Sequence, residues 1–581
     1  MQKRYSGLLF DWGRALLPDA TEPPQTLAEA LRLQRGFLNG SVAASTREDP
    51  FFPEIARAAQ WVLAQAKPNG RAFINADYDV DGVTSSCILS RVCEGLKMRP
   101  EVFVPSRFSN FYGVNLERIR ASHAAEPLDL IICVDCGAAS LRELSDFSTE
   151  TGTPVLVLDH HTPDDAQGRV YDVNPHRVPS LSPSHYCAGL MSHLLLEALS
   201  DSTPHLKEFA RESLILAGLA VIGDVVSVRG VASRLAAANC VKRAGQPDGS
   251  VGLKAILESR CKANPWLGTE DFGYRVCPLI NVAGRIDTAQ RAIDLFTCRD
   301  SRQALDLVKE LEELNRKRQA LQSAVEAEAR TRYQEGSKIL VAYDRSWHHG
   351  VVGPAAGRLS EELNIPVILG GYAAELGSYA FSGRSRGGVN LYETLKQAVA
   401  GEKVNFGGHG AAVGMRIPEG EVDAVTQRLR ERASFIAPEP SRLVREYAAQ
   451  LRPSSIKLER WKEVHSLEPY GPDNEPPTFM VRDAELELRR STYRPHDAYG
   501  RAQGRDERNH LHYFPVIVHD SPQLSSISSI SGHLLGRLFL KDGRQGVSVC
   551  FALEDVVPAN QRDRVGVKRT PPEVGEALGG V

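Results

Sequence analysis

Three short apolar runs in the first third of the chain each end directly in carboxylates, and no other feature restricts the fold as tightly. Residues 71–75 (Arg-Ala-Phe-Ile-Asn) lead to Asp77, Asp79 and Asp81, residues 128–134 lead to Asp135, and residues 154–158 lead to Asp159 with His160 and His161 behind it. Continuous Val- and Ile-rich runs of this length read as strands buried on both faces of a parallel sheet. In open α/β sheets the crevice beyond the strand carboxyl ends is where ligands bind, so acids converging there form a site and not a solvated face. Past Gly82, the spacing of Val83, Cys87, Ile88, Val92 and Leu96 predicts a helix, which completes a strand–loop–helix unit.

The rest of the chain changes texture twice. From 301 to 336 it is charged and helical in period, with no Pro and no Gly before Gly336, which predicts a long connecting helix. A second α/β block follows, with a strand at 339–342, a helix at 352–363, a strand at 367–369 and a glycine-rich stretch at 406–412. Beyond a charged helix at 421–432 and the prolines Pro438 and Pro440, strand-and-turn patterning at 479–481, 512–518 and 534–551 predicts a small β-barrel. The Ser/Ile stretch 525–531 reads as loop. A length of 581 residues accommodates three or four domains. The expected division is an amino-terminal segment 1–45, a catalytic α/β domain 46–300, the connecting helix 301–336, a smaller α/β domain 337–420, a helical linker 421–455, a barrel 456–560 and a tail 561–581.

Net charge of −3 gives no global field for nucleic acid, so any basic surface must be local. Two candidates are the arginines 489, 490, 494, 501, 505 and 508 and the tail cations Arg562, Arg564, Lys568 and Arg569, each of which also reads as a solvated loop. No signal-peptide core follows Met1, and the longest apolar run, 214–223, is too short to span a bilayer, so no membrane association is expected. Ten cysteines without a dense framework point to reduced thiols and a cytoplasmic setting.

Three carboxylates within five residues repel one another unless a cation compensates them. Hard oxygen ligands of this kind suit Mg²⁺ or Mn²⁺, with Asp77 and Asp79 able to serve two neighbouring ions; an Asp-rich helix cap is the plainer alternative. Two histidines in tandem after Asp159, beside two other acidic strand ends, favour metal. Cys133 and Cys136 lack a second cysteine pair at finger-like spacing and read as packing residues. Asp224, which ends the apolar segment from Leu214, reads on its own as a helix-end or turn acid.

In this order, Asp-Tyr-Asp-Val-Asp-Gly (77–82), Val-Asp-Cys-Gly (134–137), Asp-His-His (159–161) and Gly-Asp-Val-Val (223–226) resemble the four signature motifs of the DHH-family phosphoesterases. Asn281-Val-Ala-Gly-Arg285, Ser346-Trp-His-His-Gly-Val-Val-Gly353, Ser382-Gly-Arg-Ser385 and Gly407-Gly-His-Gly410 look like motifs of its RecJ branch, the last three in the DHH-associated domain. Residues 467–479 are similar to the segment that enters that branch's oligonucleotide-binding barrel, so the resemblance covers roughly 70–555.

The resemblance implies an α/β fold: a DHH parallel-sheet domain and a smaller α/β DHH-associated domain joined by a long helix, then an OB-like barrel. It implies a 5′ to 3′ exonuclease for single-stranded DNA that releases nucleoside 5′-monophosphates by two-metal hydrolysis with Mn²⁺ or Mg²⁺ and serves repair and recombination. Asp77, Asp79, Asp135, His160 and Asp224 would be metal ligands, with Asp135 bridging. Asp81, His161 and His409 would complete the catalytic group, and Arg107, Arg285, Ser382 and Arg384 would hold DNA phosphates. Single-stranded DNA is the implied partner, together with a helicase or a single-strand-binding protein. The barrel would stack bases; Phe479, Tyr493, Tyr499 and Phe551 are its candidate rings, although most aromatics on strands are core. The chain departs from the pattern at Asn75, expected to alter one metal's shell, at Phe111-Tyr112-Gly113, and at His349 where proline is expected. The competing readings are a phosphodiesterase of short oligonucleotides or cyclic dinucleotides and a non-catalytic single-strand-binding scaffold. Neither explains both the intact acidic motifs and the barrel.

Overall fold

The computed structural model describes residues 28, 31, 45–105, 113–166, 168–247, 249–261, 266–385, 389–399, 404–432, 447–492, 497–506, 508–519, 521–543 and 546–558. The chain separates into two compact units. One is Val42–Ser441 with Gly471–Asp473; the other comprises Met1–Ser41, Arg442–Tyr470 and Asn474–Val581. The expected amino-terminal segment 1–45, apart from residues 28, 31 and 45, and the tail 561–581 with its four cations lie outside the described residues.

The first unit is built on a five-stranded, fully parallel sheet: β1 (Arg71–Ala76), β2 (Arg99–Phe103), β3 (Leu130–Val134), β4 (Val155–Leu158) and β5 (Val170–Val173), in spatial order β2-β1-β3-β4-β5. Side-chain alternation sends Ile74, Ile132 and Leu156 to one face, where they meet the helices Phe52–Gln65, Val80–Gly95, Ala188–Leu199 and Ala210–Gly223. Phe73, Ile131 and Val155 point to the other face and pack with Ile119, Leu144 and Phe147 from the helices Leu116–Ala125 and Leu141–Thr151. Both faces are therefore covered, which is why these strands read as unbroken apolar runs. Register does the rest: Ala76 pairs with Val134 and Val134 with Leu158, so Asp77, Asp135 and Asp159 leave the sheet at one level.

The connecting helix runs Ser301–Thr331, capped by the Asp300 carboxylate, which accepts the Gln303 N–H at 2.8 Å. It stops five residues before the expected end at 336, where Arg332 turns to pair with Asp344 at 2.7 Å and lies over the Trp347 ring. A mixed sheet follows, β6 (Leu340–His348), β7 (Val367–Ala373), β8 (Ser378–Arg384), β9 (Asn405–His409) and β10 (Ala412–Pro418), in order β6-β7-β8-β10-β9, with only the β6–β7 pair parallel. The helix Val352–Leu363 covers one face through Ala355, Ala356 and Leu359. The two α/β modules meet closely at Gly350, where a Cβ would collide with the Arg285 carbonyl.

In the second unit, β12 (Phe479–Arg490), β13 (Ala498–Arg505), β14 (Leu511–Val518), β15 (Ser529–Gly543) and β16 (Gly546–Pro558) follow the short β11 (Ala449–Gln450). The ladder β12-β13-β14-β16-β15 closes through β12–β15 pairing, and β14–β16 is its parallel pair, which makes a five-stranded OB-like barrel. Residues 529–531, read as loop from sequence, are the start of β15: Ile530 pairs with Leu486, so the alternation of Ser and Ile is a strand pattern and not low-complexity linker. Phe479 and Phe551, candidate stackers from sequence, are fully buried in the barrel core. Tyr493 and Arg494 lie outside the described residues. Tyr499 and Tyr513 stand exposed on β13 and β14, with Lys541 Nζ 4.9 Å from the first ring and Arg501 5.6 Å from the second.

Candidate metal centre

The turn between β1 and the helix Val80–Gly95 is built by the aspartates themselves. Asp79 is the N-cap, its Oδ1 accepting the N–H groups of Asp81 (2.9 Å) and Gly82 (3.2 Å), while Asp77 Oδ1 accepts the Tyr78 N–H at 2.8 Å. Gly82 is required because a Cβ there would strike the Asp77 backbone. Asn281 supports the turn from another helix, its Oδ1 accepting the Val80 N–H at 2.8 Å. The cap reading of this segment therefore holds, and it leaves the second oxygen of Asp79 outside the cap.

Asp81 is tied to a neighbouring helix. Its two oxygens accept the N–H groups of Ala188 (2.8 Å) and Gly189 (2.7 Å), at the start of the helix Ala188–Leu199, and the residue is buried. Asp135 sits at φ +57° on the turn after β3, a left-handed conformation that aims its carboxylate across the strand ends. Asp224 caps the carboxyl end of the helix Ala210–Gly223, as its apolar approach suggested. His160 gathers these elements: its Nε2 is 3.3 Å from Asp135, 3.7 Å from Asp224 and 3.8 Å from Asp81.

Donor atoms within 4.8 Å of one another form three overlapping groups, Asp77–Asp79–Asp135, Asp81–His160–Asp224 and Asp135–Asp159–His160–His161. All five residues expected as metal ligands fall in these groups, and Asp135 belongs to two of them. Burial, reinforced by Asp81, Asp79, Asp77 and Asp224, holds the Asp135 carboxyl well above its ordinary range. Burial followed by Asp81 raises Asp79, and burial with Asp81 and Asp79 pushes Asp224 up to about 8. Burial also lowers His160, keeping its ring neutral and able to ligate. Carboxylates crowded this way are poor anions unless a cation joins them.

Sequence reasoning places Asp159 among the acidic strand ends of the site without giving it a role, and its partners supply one. Its carboxylate accepts N–H groups from Ala138 (2.9 Å), His160 (2.8 Å) and His161 (3.1 Å) and pairs with His161 Nδ1 at 2.8 Å. Burial pushes Asp159 up, but these bonds overcome it and leave the carboxyl below its ordinary range. The same hydrogen bond raises His161 to about 9, so its half-exposed ring is cationic at neutral pH. Asn75, expected to modify a metal's shell, is a brace: its amide donates to Gly113 O and Cys136 Sγ, both at 3.2 Å, and accepts the Asn115 N–H at 3.1 Å. Cys133 and Cys136 are buried packing residues whose thiols burial pushes up.

Of the expected phosphate-holding residues, Arg285 lies near enough to Asp79 to lower its carboxyl electrostatically. Arg384 donates to Ser382 Oγ (3.3 Å) and Gly383 O (2.8 Å), and a Cβ on Gly353, in the first turn of the helix Val352–Leu363, would lie 3.0 Å from that Oγ. Hydroxyl, guanidinium and helix start therefore share one place. Arg107 lies outside the described residues, as do Phe111 and Tyr112. The backbone of His409 ends β9 opposite Ala412, and its side chain lies outside the described residues. His349, the residue found in place of proline, stacks on His348 with ring centroids 5.3 Å apart.

Fold and site define the class first: residues 71–220 match the DHH family, N-terminal domain, and residues 336–434 match the DHHA1 domain. Among curated proteins, the chain is 32% identical over 441 residues to the single-stranded-DNA-specific exonuclease RecJ of Thermus thermophilus, covering 75% of this chain and 62% of that one. It is 30% identical over 392 residues to RecJ of Dickeya dadantii (64% and 68%) and 29% identical over 479 residues to RecJ of Bacillus subtilis (79% and 59%). The chain thus spans about three fifths of the length of the Thermus and Bacillus relatives. The crystal structure of Thermus thermophilus RecJ in complex with Mn²⁺ superposes with a TM-score of 0.72 at 27% identity, covering 91% of this chain and 75% of that one. The chain belongs to the RecJ family of DHH proteins.

Proposed function

We propose that this protein is a metal-dependent exonuclease that hydrolyses single-stranded DNA from the 5′ end to nucleoside 5′-monophosphates, in the cytoplasm and in the service of DNA repair and recombination. The observation that carries the reading is His160 within 3.8 Å of three carboxylates from separate elements, beyond the carboxyl ends of the central strands, where burial leaves Asp135, Asp79 and Asp224 in need of a cation. The relatives named above as single-stranded-DNA-specific exonucleases support it.

The donor set fits two hard divalent ions. Asp77, Asp79 and Asp135 would hold one, and Asp135, His160 and Asp224, whose carboxylates lie 3.3 and 3.7 Å from His160 Nε2, the other. Mn²⁺ or Mg²⁺ held by these residues would neutralise their charge and would supply Lewis-acid activation of water near neutral pH. The chain's own residues do the remaining work. His161, held cationic by Asp159, offers an N–H to a phosphoryl oxygen, and Asp81 keeps the helix Ala188–Leu199 tied to the catalytic turn. Ser382 and Arg384, beside the start of the helix Val352–Leu363, take a terminal phosphate, and Arg285, close to Asp79, takes a phosphate nearer the cleaved bond; Arg107 is assigned to phosphate binding by its motif alone. His409 is assigned to the catalytic group by its motif. Exposed Tyr499 and Tyr513, each with a cation over its ring, give the barrel a sequence-tolerant surface for unpaired bases. A helicase or single-strand-binding protein would present the strand. No helix among the described residues is long and apolar enough to cross a membrane, and all ten cysteines are unpaired thiols, in keeping with a reducing compartment.

The test is hydrolysis of a long single strand labelled at the 5′ or the 3′ end, with Mn²⁺, Mg²⁺ or EDTA, beside a dinucleotide control. Early metal-dependent release of 5′-labelled mononucleotide is expected. Cleavage confined to the dinucleotide would overturn the reading in favour of a small-substrate phosphodiesterase.

A further inference from the structure

The helix Ala210–Gly223, which delivers Asp224 to the metal centre, ends in an unusual way. The Val226 N–H returns to Val221 O at 3.0 Å and the Val225 N–H to Ile222 O at 3.4 Å, a closing pattern that places Val225 where helices ordinarily use glycine. Val225 accordingly has φ +56°, a conformation that is costly for a β-branched side chain. Burial does not compensate it, because Val225 is 68% exposed. Backbone strain is thus held at a side chain that fills no core, and strain of this kind concentrates at active sites and ligand clamps.

A second exposed apolar group lies on the element packed against this helix end. The π-helical turn Phe272–Val276 buries Phe272 and Val276 and leaves Tyr274 80% exposed. Its neighbour Gly273 faces Ile222, with a Cβ position 3.9 Å from Ile222 Cγ2, and Cys277 Sγ lies 3.4 Å from the Cβ position of Gly223. Among the described residues of this unit, the large apolar side chains that stand exposed are Val225, Tyr274 and Leu305. Two of the three therefore belong to adjoining elements at the end of the helix that carries Asp224.

We propose that Val225 and Tyr274 form an apolar lip beside the metal centre that holds the base of the nucleotide being released, Tyr274 by stacking on it and Val225 by packing against base and sugar. The assignment rests on the exonuclease reading and deepens it. The phosphate-holding residues grip the backbone, which paired and unpaired strands share, whereas a lip that takes a base by its face needs that base unstacked and unpaired. It accepts any base, because each presents a π-face.

The experiment is steady-state kinetics of the full chain with Mn²⁺ on a single-stranded oligonucleotide whose 5′-terminal nucleotide is either normal or abasic, for wild type, Tyr274→Ala, Tyr274→Phe and Val225→Gly. Wild-type hydrolysis of the normal strand is measured first, and its absence would overturn the exonuclease reading itself. Tyr274→Ala should raise KM about fivefold or more on the normal strand and leave KM on the abasic-ended strand at the wild-type value. Tyr274→Phe should behave as wild type on both. Val225→Gly should raise KM on the normal strand while raising Tm, since it relieves the left-handed strain, so that weaker binding cannot be ascribed to misfolding. Unchanged KM in both Tyr274→Ala and Val225→Gly, or equal increases on normal and abasic-ended strands, would overturn the lip while leaving the exonuclease reading intact.

Discussion

At the scale of single residues, the centre is a set of charges that tolerate one another only through specific partners. Asp135 belongs to two of the three donor groups, so Asp135→Ala should abolish hydrolysis while single-strand binding by filter or anisotropy assay changes little, because the exposed barrel rings are untouched. Turnover within tenfold of wild type would show that Asp135 does not bridge. His161 gives a pH-dependent expectation. Its hydrogen bond to Asp159 raises it to about 9 from an ordinary value near 6.5, so its contribution to stability is complete below about pH 6.5 and is lost as pH rises through about 9. The Tm deficit of His161→Ala should therefore be largest in mild acid and fade in alkali; a deficit independent of pH would mean that packing, and not the ion pair, is what the ring supplies.

At the scale of elements, the decisive joints are helix ends. Asp81 joins two of them: it lies in the first turn of Val80–Gly95 and accepts both N–H groups at the start of Ala188–Leu199. Asp81→Asn keeps the volume but sets an NH₂ group against one of those donors and removes the charge from a helix amino terminus. We expect a loss of about 2–3 kcal/mol in urea unfolding, measured without metal so that ligation does not enter. A loss below about 0.5 kcal/mol would make Asp81 a group that serves the substrate or metal alone. The connecting helix shows the other way an element ends: no glycine or proline stops it at Thr331, and the pull of Asp344 and Trp347 on Arg332 turns the chain instead.

At the scale of the whole molecule, metal and proton compete for one cluster. Folding raises the Asp135, Asp79 and Asp224 carboxyls, Asp224 to about 8, so the metal-free native state holds protons that the unfolded chain releases near pH 4. Its stability should fall as pH rises from about 4 toward 8. Mn²⁺ should then raise Tm more at pH 8 than at pH 6 in scanning fluorimetry; an equal rise at both would show that these groups do not bind it. In the barrel, Arg501→Ala and Lys541→Ala should each weaken binding to long single strands and reduce the slope of log affinity against log salt by about 0.7, without altering kcat on a short oligonucleotide. An unchanged slope would make both cations structural partners of Tyr513 and Tyr499.

How much of this is legible in the chain follows from what each interaction depends on. The parallel sheet, the acidic strand ends and the order of the four motifs are local patterns, because apolar runs and turn acids declare themselves over five to ten residues. The same holds for Asp224 as a helix-end acid and for the cysteine pair as packing. Residues 529–531 read wrongly as loop because strand pairing with β12, and not composition, makes them β15. Phe479 and Tyr499 cannot be told apart as core and surface until the barrel closes. Asp159 as the anchor of His161, Asn75 as a brace and Asp81 as a clamp on a helix 107 residues away along the chain depend on which groups fold against them. Chain chemistry alone thus dictates the elements and supplies the carboxylates and histidines. Register, burial and helix docking decide which of them meet, how their protons are held and which side chains, such as Val225, are left facing outward, because those are properties of distance in three dimensions and not of order along the chain.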